Sequence, residues 1–409
     1  MADYIPVILG SDDNAYGTAR LFGEICGVKP LLVCKLGLSQ TADSKICSVR
    51  VIPDFDSDEV FAETLPEILK EKKKEYGKVV LVPCSDNYSL LVSRHFDKIK
   101  DYVENRFCSY ELLETLDTKN KFYALCEKHG LDYPKTFVVP PEERLTIVSN
   151  KDLKFPIVVK PENSNAYDYM HCSFEGKKKV YFFSEPESYL RLMGKLNGTD
   201  YKGKLIIQEF IPGGDDSMRV MNCYSDPNGK VRAMCLGQPI LEEYAPGMIG
   251  NYASIISRSD DALYAKIKNF LESIGYVGFS NFDMKYDSRT GKYMLFEINP
   301  RLGRSSYFVR GTGINMMKVM TDDVIEKKDF PMICGKGTSL WASVPKYVLK
   351  HYITNPEIKK EALSLWKKGV NRTLFNKADK SPKRNFRIRK AYLKQIVVYK
   401  HHWFDKTKT

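Results

Sequence analysis

Two runs of alternating apolar and polar residues between positions 278 and 306 constrain the fold more than any other stretch of this chain. They flank the turn-forming cluster Asp287–Gly291 and therefore predict a β-hairpin. Successive side chains on a strand point to opposite faces, so Phe282 and Ile298 belong to one apolar face. We expect that apolar face to be buried.

The opposite face of this hairpin is polar. With a turn centred on Thr290, Asp283 lies directly across from Glu297, and Asn299 follows on the same face. Carboxylate and amide oxygens suit Mg²⁺, especially when the ion also holds substrate phosphates. The alternative is an ordinary amphipathic hairpin with a solvated face. The continuation of the polar strand end into Pro300-Arg301 favours the metal site.

The first hundred residues alternate between short apolar strands and helical patterns. Strands are predicted at Tyr4–Leu9, Leu31–Cys34 and Val79–Pro83, with a helix over Val60–Tyr76. This order predicts an open parallel α/β sheet, in which ligands bind beyond the carboxyl ends of the strands. The turn at Gly10 has no GxGxxG pattern, so a dinucleotide-binding fold is not supported.

Polar residues follow two of these strands, at positions where substrates bind in α/β sheets. Ser11 and Asp12 follow the first strand, and Ser85 and Asp86 follow the strand ending at Pro83. These residue types also cap helix N-termini, so substrate contact and capping both remain open.

The central region reads as α+β with mostly hairpin-connected strands. Within Leu116–Gly130 we expect a helix that is capped by Asp117 or Thr118 and closed by Gly130. We also expect a strand ending at Lys160 and hairpin strands at His171–Phe174 and Val180–Phe183. In the strand LIIQEFI, Gln208 and Glu209 point to opposite faces, so one of them must find a polar partner inside.

Several functional classes are disfavoured by composition. The start of the chain lacks the basic and apolar regions of a signal peptide, and no run approaches the roughly 20 apolar residues of a membrane span. The ten cysteines are scattered without a CxxC pair, which is typical of reduced thiols in a cytoplasmic protein. The six histidines show no catalytic-triad spacing.

The net charge of +12 is concentrated at the C-terminal end. Residues 346–409 carry eighteen Lys/Arg and four Asp/Glu, so the preceding part sums to −2. This basic segment is either a solvated, partly packed extension or a surface attracted to anionic lipid or an acidic cell-wall precursor. No nucleic-acid-binding motif accompanies the charges, so nucleic acid is not an expected partner.

Residues 4–320 resemble the ATP-grasp ligases, because four motifs of that family occur here in its order and at its spacing. The resemblance is carried by LDTKNKFYALCEKHGLDYPKT, FPIVVKP, IIQEFIPGG and NFDMKYDSRTGKYMLFEINPR. Within that superfamily the chain is most similar to the D-aspartate ligases of Gram-positive peptidoglycan synthesis. The closer similarity lies in VILGSDDNAYGTAR, SDNYSLLVSRH, CLGQPILEEYAPGMIGNY and EINPRLGRSSYFV.

The resemblance implies a fold of α/β and α+β parts. It implies a Rossmann-like pre-ATP-grasp domain over 1–115, a lid region over 116–212, a catalytic domain over 213–340 and a basic extension over 341–409. It further implies that ATP lies between the lid and the catalytic domain. The loop after Lys160 lacks the family's usual run of glycines, which leaves the lid's phosphate contacts open.

The resemblance also implies roles for individual residues. The residues implied to bind ATP are Lys119 and Lys160 at the phosphates, and Gln208, Glu209, Phe210 and Ile211 at the base and ribose. The implied Mg²⁺ ligands are Asp283, Glu297 (bridging two ions) and Asn299, with Arg301 at the transferred phosphoryl group and the oxyanion. The candidates for holding the acid substrate are Arg219, Gly303, Arg304, Ser305 and Ser306.

The implied reaction joins D-aspartate to the lysine side-chain amine of a UDP-linked or lipid-linked stem peptide, through an acyl phosphate and with ATP and Mg²⁺. A ligase for a different acid or amine and a non-catalytic nucleotide-binding homologue are the alternatives. The expected location is the cytoplasm, with the inner face of the membrane as a further possibility for the basic segment.

Overall fold

The structure is a computed structural model that describes residues 3–162, 167–178, 180–245 and 247–405. The chain forms two compact units. Unit 1 comprises Met1–Asp117, Gly213–Met284 and Glu297–Thr409, and unit 2 comprises Thr118–Pro212 and Lys285–Phe296. The tip of the predicted hairpin is therefore grouped with unit 2 and its base with unit 1.

Unit 1 begins with the expected parallel α/β sheet. Its strand order is β3-β2-β1-β4, and all three pairings are parallel. The central strand β1 is buried along its whole length, as strands with helices on both faces must be. The elements are β1 Tyr4–Leu9, α1 Asp13–Gly23, β2 Leu31–Cys34, β3 Ser48–Val51, α2 Asp58–Tyr76, β4 Lys78–Pro83, α3 Asp86–Arg94, α4 Phe96–Ile99 and α5 Tyr110–Asp117.

Helix capping explains two of the polar strand-end residues. The Asp12 carboxylate accepts the Ala15 N–H at 3.0 Å, and the Ser85 hydroxyl accepts the Tyr88 N–H at 3.2 Å. These bonds satisfy amide donors that have no partner within the first turn of a helix.

Unit 2 is built on a four-stranded sheet of order β5-β8-β6-β7, and its pairings are antiparallel. The helix predicted to be capped by Asp117 or Thr118 is confirmed as α6, whose N-cap residue is Thr118. One expectation was wrong, because His171 ends a short helix rather than starting a strand. The elements are α6 Lys119–Lys128, β5 Thr136–Val139, β6 Ile157–Pro161, α7 Tyr167–His171, β7 Tyr181–Phe183, α8 Pro186–Asn197 and β8 Leu205–Glu209.

The predicted hairpin forms the edge of a larger sheet of order β13-β12-β9-β10-β11-β15-β16, with β14 beside β10. Phe282 and Met284 are fully buried, which confirms the apolar face. The elements are β9 Met218–Ser225, β10 Val231–Glu242, β11 Tyr252–Arg258, α9 Asp261–Ser273, β12 Gly278–Asp287, β13 Lys292–Asn299, α10 Met316–Val324, β14 Ile333–Cys334, β15 Leu340–Ala342, α11 Lys346–Tyr352, α12 Pro356–Lys368, β16 Val370–Asn371 and α13 Pro382–His402.

The basic C-terminal segment is an integral part of unit 1. Its strand β16 pairs with β15 of the large sheet, and the Tyr399 ring of α13 is fully buried. Asp379 and Arg384 have no exposed side-chain surface and lie 3.5 Å apart. Asp379 also accepts hydrogen bonds from Tyr16 and from Ser44, which tie the segment to the N-terminal part of the unit.

No helix in the described ranges combines the length and the apolar character needed to cross a membrane.

Candidate active site

A cavity of about 150 Å³ in unit 1 brings together most of the residues predicted for metal binding and catalysis. We call it the carboxylate cavity. The predicted residues that line it are Asp283, Glu297, Asn299, Arg301, Gly303, Arg304 and Ser305. The alternating pattern of the hairpin thus places its polar side chains at one cavity. The direct opposition of Asp283 and Glu297 stays a prediction.

Asp283 is held at the carboxylate cavity by neutral donors. Its carboxylate accepts the Tyr252 hydroxyl at 2.8 Å, the Asn299 amide at 3.2 Å and the Asn281 amide at 3.3 Å. The sequence did not identify Tyr252, since it lies on β11, far along the chain from the hairpin. The hydrogen bonds fix the orientation of the carboxylate.

The donor set of this cavity fits a hard divalent cation. Asp283 and Glu297 supply carboxylate oxygens, Asn299 supplies an amide, and the buried Asn281 Oδ1 accepts no hydrogen bond from the described residues. No group of three or more His, Cys, Asp or Glu side chains suited to a metal occurs within the described part of the chain. Mg²⁺ typically takes one or two carboxylates together with substrate phosphates, and this cavity provides two carboxylates, Asp283 and Glu297.

Arg301 lies at the same cavity and is anchored by the first residue of helix α3. Its guanidinium donates to Asp86 at 2.8 Å and to the Asn299 side-chain oxygen at 3.4 Å. Burial lowers the pKa of Arg301, but the carboxylates of Asp86, Asp283 and Asp12 outweigh it and raise this pKa above its ordinary value. Arg301 therefore remains a fixed positive charge beside the proposed metal ligands.

Arg304 is shared between two carboxylates that the sequence did not single out. It donates to Asp13 through Nε at 2.9 Å and to Glu243 through Nη1 at 3.2 Å. Burial raises the pKa of Glu243, against the opposing effect of Arg304. Asp13 starts helix α1 and Glu243 follows β10, so only the folded chain brings them together.

The loop at Gly303 requires the absence of a side chain. A Cβ atom there would lie 2.5 Å from the Asn281 side-chain oxygen. The Gly303 N–H donates to the Asn222 side chain at 2.9 Å, and the Asn14 amide donates to the Leu302 carbonyl at 2.8 Å. These contacts fix the loop that leads from Arg301 to Ser305.

Two predicted substrate residues do not line the carboxylate cavity. The Arg219 guanidinium donates to the backbone carbonyls of Asp216 and Met218. Ser306 is buried and opens a short 3₁₀ helix, in which its N–H donates to the Gly303 carbonyl at 2.9 Å. The geometry thus gives these two residues positions in the scaffold, whereas Ser305 reaches the cavity.

Unit 2 carries both lysines predicted to hold phosphates. Lys119 is the first residue of α6, and its ammonium donates to the Phe296 carbonyl at 3.3 Å. Lys160 lies near the end of β6, where it pairs with Ile206 of β8, as expected for a strand-end lysine. Residues 163–166, in the lid loop that follows, lie outside the described residues.

The strand β8 confirms the alternation argument for its two polar residues. Gln208 is 5% exposed, and its amide donates to the Tyr123 hydroxyl at 2.8 Å and to Thr136 at 2.9 Å. Glu209 faces the other way and pairs with Arg289 at 2.7 Å. Gln208 is therefore the residue with the internal polar partner.

The backbone amides of Glu209, Phe210 and Ile211 differ in their hydrogen-bond partners. The Glu209 N–H donates to the Lys135 carbonyl at 2.9 Å, and the Phe210 N–H donates to the Pro156 carbonyl at 3.2 Å. The Ile211 N–H has no acceptor among the described residues. Of the three residues predicted to contact the base through their backbone, Ile211 is the one whose N–H has no acceptor in the described part of the chain.

Comparison with known proteins identifies the family. The chain is 39% identical over 413 residues, covering 99% of this chain and 98% of the relative, to a D-aspartate ligase of Enterococcus faecium (strain Aus0004). This chain belongs to the D-aspartate ligase family. The family model for the ATP binding domain of the carbamoyl-phosphate synthase L chain matches residues 253–322, which include the hairpin and Arg301.

Solved structures show that this D-aspartate ligase family member has the ATP-grasp fold. An N5-carboxyaminoimidazole ribonucleotide synthetase in complex with ADP aligns with a TM-score of 0.58 at 14% identity, covering 90% of this chain and 97% of the other. A carboxyaminoimidazole ribonucleotide synthase from Aspergillus clavatus in complex with ATP aligns with a TM-score of 0.57 at 12% identity, covering 83% and 82%. Together with the family assignment, the chain is an ATP-grasp ligase that forms an amide bond.

Proposed function

We propose that this ligase uses ATP and Mg²⁺ to join D-aspartate to the lysine side-chain amine of a peptidoglycan stem-peptide precursor. The similarity to a protein named D-aspartate ligase, over 99% of the chain, carries the proposal. The carboxylate cavity supports it, since it combines oxygen ligands for a cation with fixed guanidinium groups. The acceptor is a UDP-linked or lipid-linked stem peptide.

The chemistry takes two displacement steps. A carboxylate oxygen of D-aspartate attacks the γ-phosphorus of ATP, the bond from that phosphorus to the bridging oxygen breaks, and ADP leaves. The lysine amine nitrogen then attacks the acyl carbon of the acyl phosphate, the C–O bond to phosphate breaks, and the amine proton passes to solvent. Both steps build negative charge on oxygen, which fixed cations stabilise.

The residues of unit 1 stabilise this charge. Asp283, Glu297 and Asn299 would hold Mg²⁺, which supplies charge neutralisation at the phosphate oxygens when bound. Arg301, locked by Asp86, presents its guanidinium to the transferred phosphoryl group and to the acyl oxygen. The chain supplies positioning and electrostatics rather than a covalent nucleophile.

The residues of unit 2 bind the nucleotide in this proposal. Lys119 and Lys160 contact the phosphates, since lysine ammonium groups suit phosphate oxygens. The Ile211 amide donates to the base, and Glu209 accepts from the ribose. Gln208 supports this strand through its bonds to Tyr123 rather than by touching the nucleotide directly.

The decisive experiment measures ADP release from purified protein with ATP, Mg²⁺, D-aspartate and UDP-linked pentapeptide. We expect release that depends on both substrates and is lower with L-aspartate. Release with another amino acid but none with D-aspartate would retain the fold and refute the substrate. Mass spectrometry of the product identifies the amine that has been acylated.

The Glu297→Gln variant tests the metal assignment. Removing one carboxylate charge from the cation site should reduce turnover on the order of 10²–10³-fold or more, as the loss of other electrostatic stabilisers does. The melting temperature should stay close to that of the wild type. Glu63→Gln, on the exposed side of α2, is the matched control and should retain activity. Full activity of Glu297→Gln would show that the metal assignment is wrong.

A second proposal concerns where the reaction takes place. We infer a cytoplasmic location, supported by ten free cysteine thiols, and contact with anionic lipid through the outward face of α13. That face exposes Phe386, Leu393 and Val397 by 71%, 59% and 52% among basic residues, and α13 contains no acidic side chain.

Vesicle sedimentation tests the lipid contact without disturbing the fold. Deleting the segment would remove the buried Tyr399, so surface substitutions are the cleaner choice. Phe386→Ser combined with Leu393→Ser should abolish sedimentation with vesicles of anionic lipid and leave ADP release unchanged. Equal sedimentation of the wild type with anionic and neutral vesicles would refute the electrostatic part.

A further inference from the structure

A second cavity, of about 140 Å³, adjoins the carboxylate cavity. The two share Tyr252 and Arg304 as lining residues, so these side chains form a common wall. The remaining lining comes largely from the C-terminal segment, including Arg372 and Tyr392. We call it the Arg372 cavity.

Arg372 is a positioned cation with no carboxylate partner among the described residues. Its guanidinium carbon lies 4.8 Å from the centre of the Trp366 ring, 5.5 Å from that of Phe375 and 5.7 Å from that of Tyr392. Its Nε is buried and donates no hydrogen bond within the described part of the chain. The rings hold the planar group in place without neutralising it, which leaves it able to bind an anion.

The opposite charge is present in the same cavity. Asp13 and Glu243 share the single cation Arg304, so this group carries one surplus negative charge when both acids are ionised. The buried Asp13 Oδ1 has no donor among the described residues. Since burial disfavours the ionised form of Glu243, a positively charged ligand would offset that cost.

The size of the cavity restricts its occupant. A cavity of about 150 Å³ holds a molecule the size of benzene. The Arg372 cavity therefore accommodates most of a small amino acid, whereas a stem peptide with its nucleotide would not enter. A molecule that extends past Tyr252 and Arg304 would also reach the carboxylate cavity.

We propose that the Arg372 cavity binds the amino-acid substrate, with Arg372 on its free carboxylate and Asp13 and Glu243 on its ammonium. The carboxylate to be activated then reaches past Arg304 toward Asp283 and Arg301. This assignment rests on the proposed function and names the specificity residues for the acid. It accounts for the choice of a zwitterion with a second carboxylate.

Kinetics of Arg372→Met test the carboxylate contact, because Met keeps packing against the rings and removes the charge. The KM for D-aspartate should rise about tenfold to a hundredfold, in line with losing hydrogen bonds to a charged group. The KM for ATP and that for the acceptor should stay within about twofold. Arg372→Lys should recover part of the loss, and Lys377→Met, exposed in the same segment, is the control.

Truncated acids separate binding from a structural effect. β-Alanine and D-alanine each lack one of the two carboxylates of D-aspartate. The wild type should use D-aspartate with a higher kcat/KM than the analogue that lacks the carboxylate not being activated, and this preference should disappear in Arg372→Met. The preference of Arg372→Met for D-aspartate over succinate, which lacks the ammonium, should persist. In Glu243→Gln we expect the reverse, so that the preference over succinate disappears and the preference over the truncated amino acid persists.

Several results would overturn the inference. An unchanged KM for D-aspartate in Arg372→Met would overturn it. A rise in the KM for the acceptor alone would also overturn it and would assign the cavity to the acceptor. If Arg372→Met fails to fold, Glu243→Gln with succinate decides alone. If the wild type turns over D-aspartate and the KM for D-aspartate is unchanged in both Arg372→Met and Glu243→Gln, this inference is refuted and the proposed function stays intact. A wild type without D-aspartate turnover refutes the proposed function first.

Discussion

The two adjoining cavities of unit 1 fix opposite charges by the same physical means. In the carboxylate cavity, Asp283 is oriented by a hydroxyl and two amides. In the Arg372 cavity, the Arg372 guanidinium is oriented by three aromatic rings. Neutral groups thus orient one charged side chain in each cavity. Side chains of the opposite charge line the same cavities, with Arg301 beside Asp283 and with Asp13 and Glu243 beside Arg372.

The cavities differ in what holds their walls. The carboxylate cavity rests on strands of one large sheet, mainly the base of the β12–β13 hairpin, and on the loop that follows the hairpin. The Arg372 cavity rests on the C-terminal segment, which is held by the buried pair Asp379 and Arg384. The second cavity should therefore be the more sensitive to damage in that segment.

Asp379→Ala should show the largest difference between the two cavities, because it should damage the Arg372 cavity more than the carboxylate cavity. It leaves Arg384 buried without its charge partner, which typically costs about 3–5 kcal/mol of the free energy of unfolding. Urea denaturation measures the loss, and Asp101→Ala on the surface is the control. At temperatures where the variant remains folded, the KM for D-aspartate should rise more than the KM for ATP. Equal stability of variant and wild type would contradict the importance of the pair.

The same contrast explains what the sequence could predict. The predicted residues of the carboxylate cavity all lie between positions 283 and 305. The period of two on paired strands brings Asp283, Glu297 and Asn299 to one face. The Arg372 cavity joins side chains from both ends of the chain. Only long-range packing creates that set, so no local pattern points to it.

Local patterns also had a limit within unit 2. Alternation correctly separated Gln208 from Glu209, because it depends only on strand geometry. Which backbone amides remain free depends on neighbouring strands, and the donation of the Phe210 N–H to Pro156 could not be read from the sequence. The basic C-terminal segment likewise contains the buried Arg384, which its sequence pattern does not distinguish from the exposed lysines around it.

Tyr252→Phe tests the wall common to both cavities. The variant removes the hydroxyl that donates to Asp283 and keeps the ring that lines both cavities. A hydrogen bond to a charged group contributes about 1.5–3 kcal/mol, so turnover should fall about tenfold to a hundredfold. The KM for D-aspartate should change little, since the ring remains. A change in KM alone would show that Tyr252 acts on the acid rather than on the metal ligand.

The smallest expected effect is a pH dependence that belongs to the Arg372 cavity alone. Burial raises the pKa of Glu243, Asp13 adds to the rise, and Arg304 opposes it. Tyr399 is a further titratable group near this carboxyl. As pH falls through the raised pKa, Glu243 takes up a proton and its attraction for an ammonium weakens. The KM for D-aspartate should then rise several-fold at a pH above the ordinary glutamic acid pKa of about 4.3.

As pH falls over the same range, the stability of the fold should rise while the affinity for D-aspartate falls. Because the folded pKa of Glu243 lies above its unfolded value, the folded state binds more protons between the two, and stability falls as pH rises through this window. Relative to Glu243→Gln, the wild type should therefore gain melting temperature at low pH while losing affinity for D-aspartate. Since a purely structural carboxyl would move only the melting temperature, a KM that tracks pH equally in both proteins would remove Glu243 from the ammonium site.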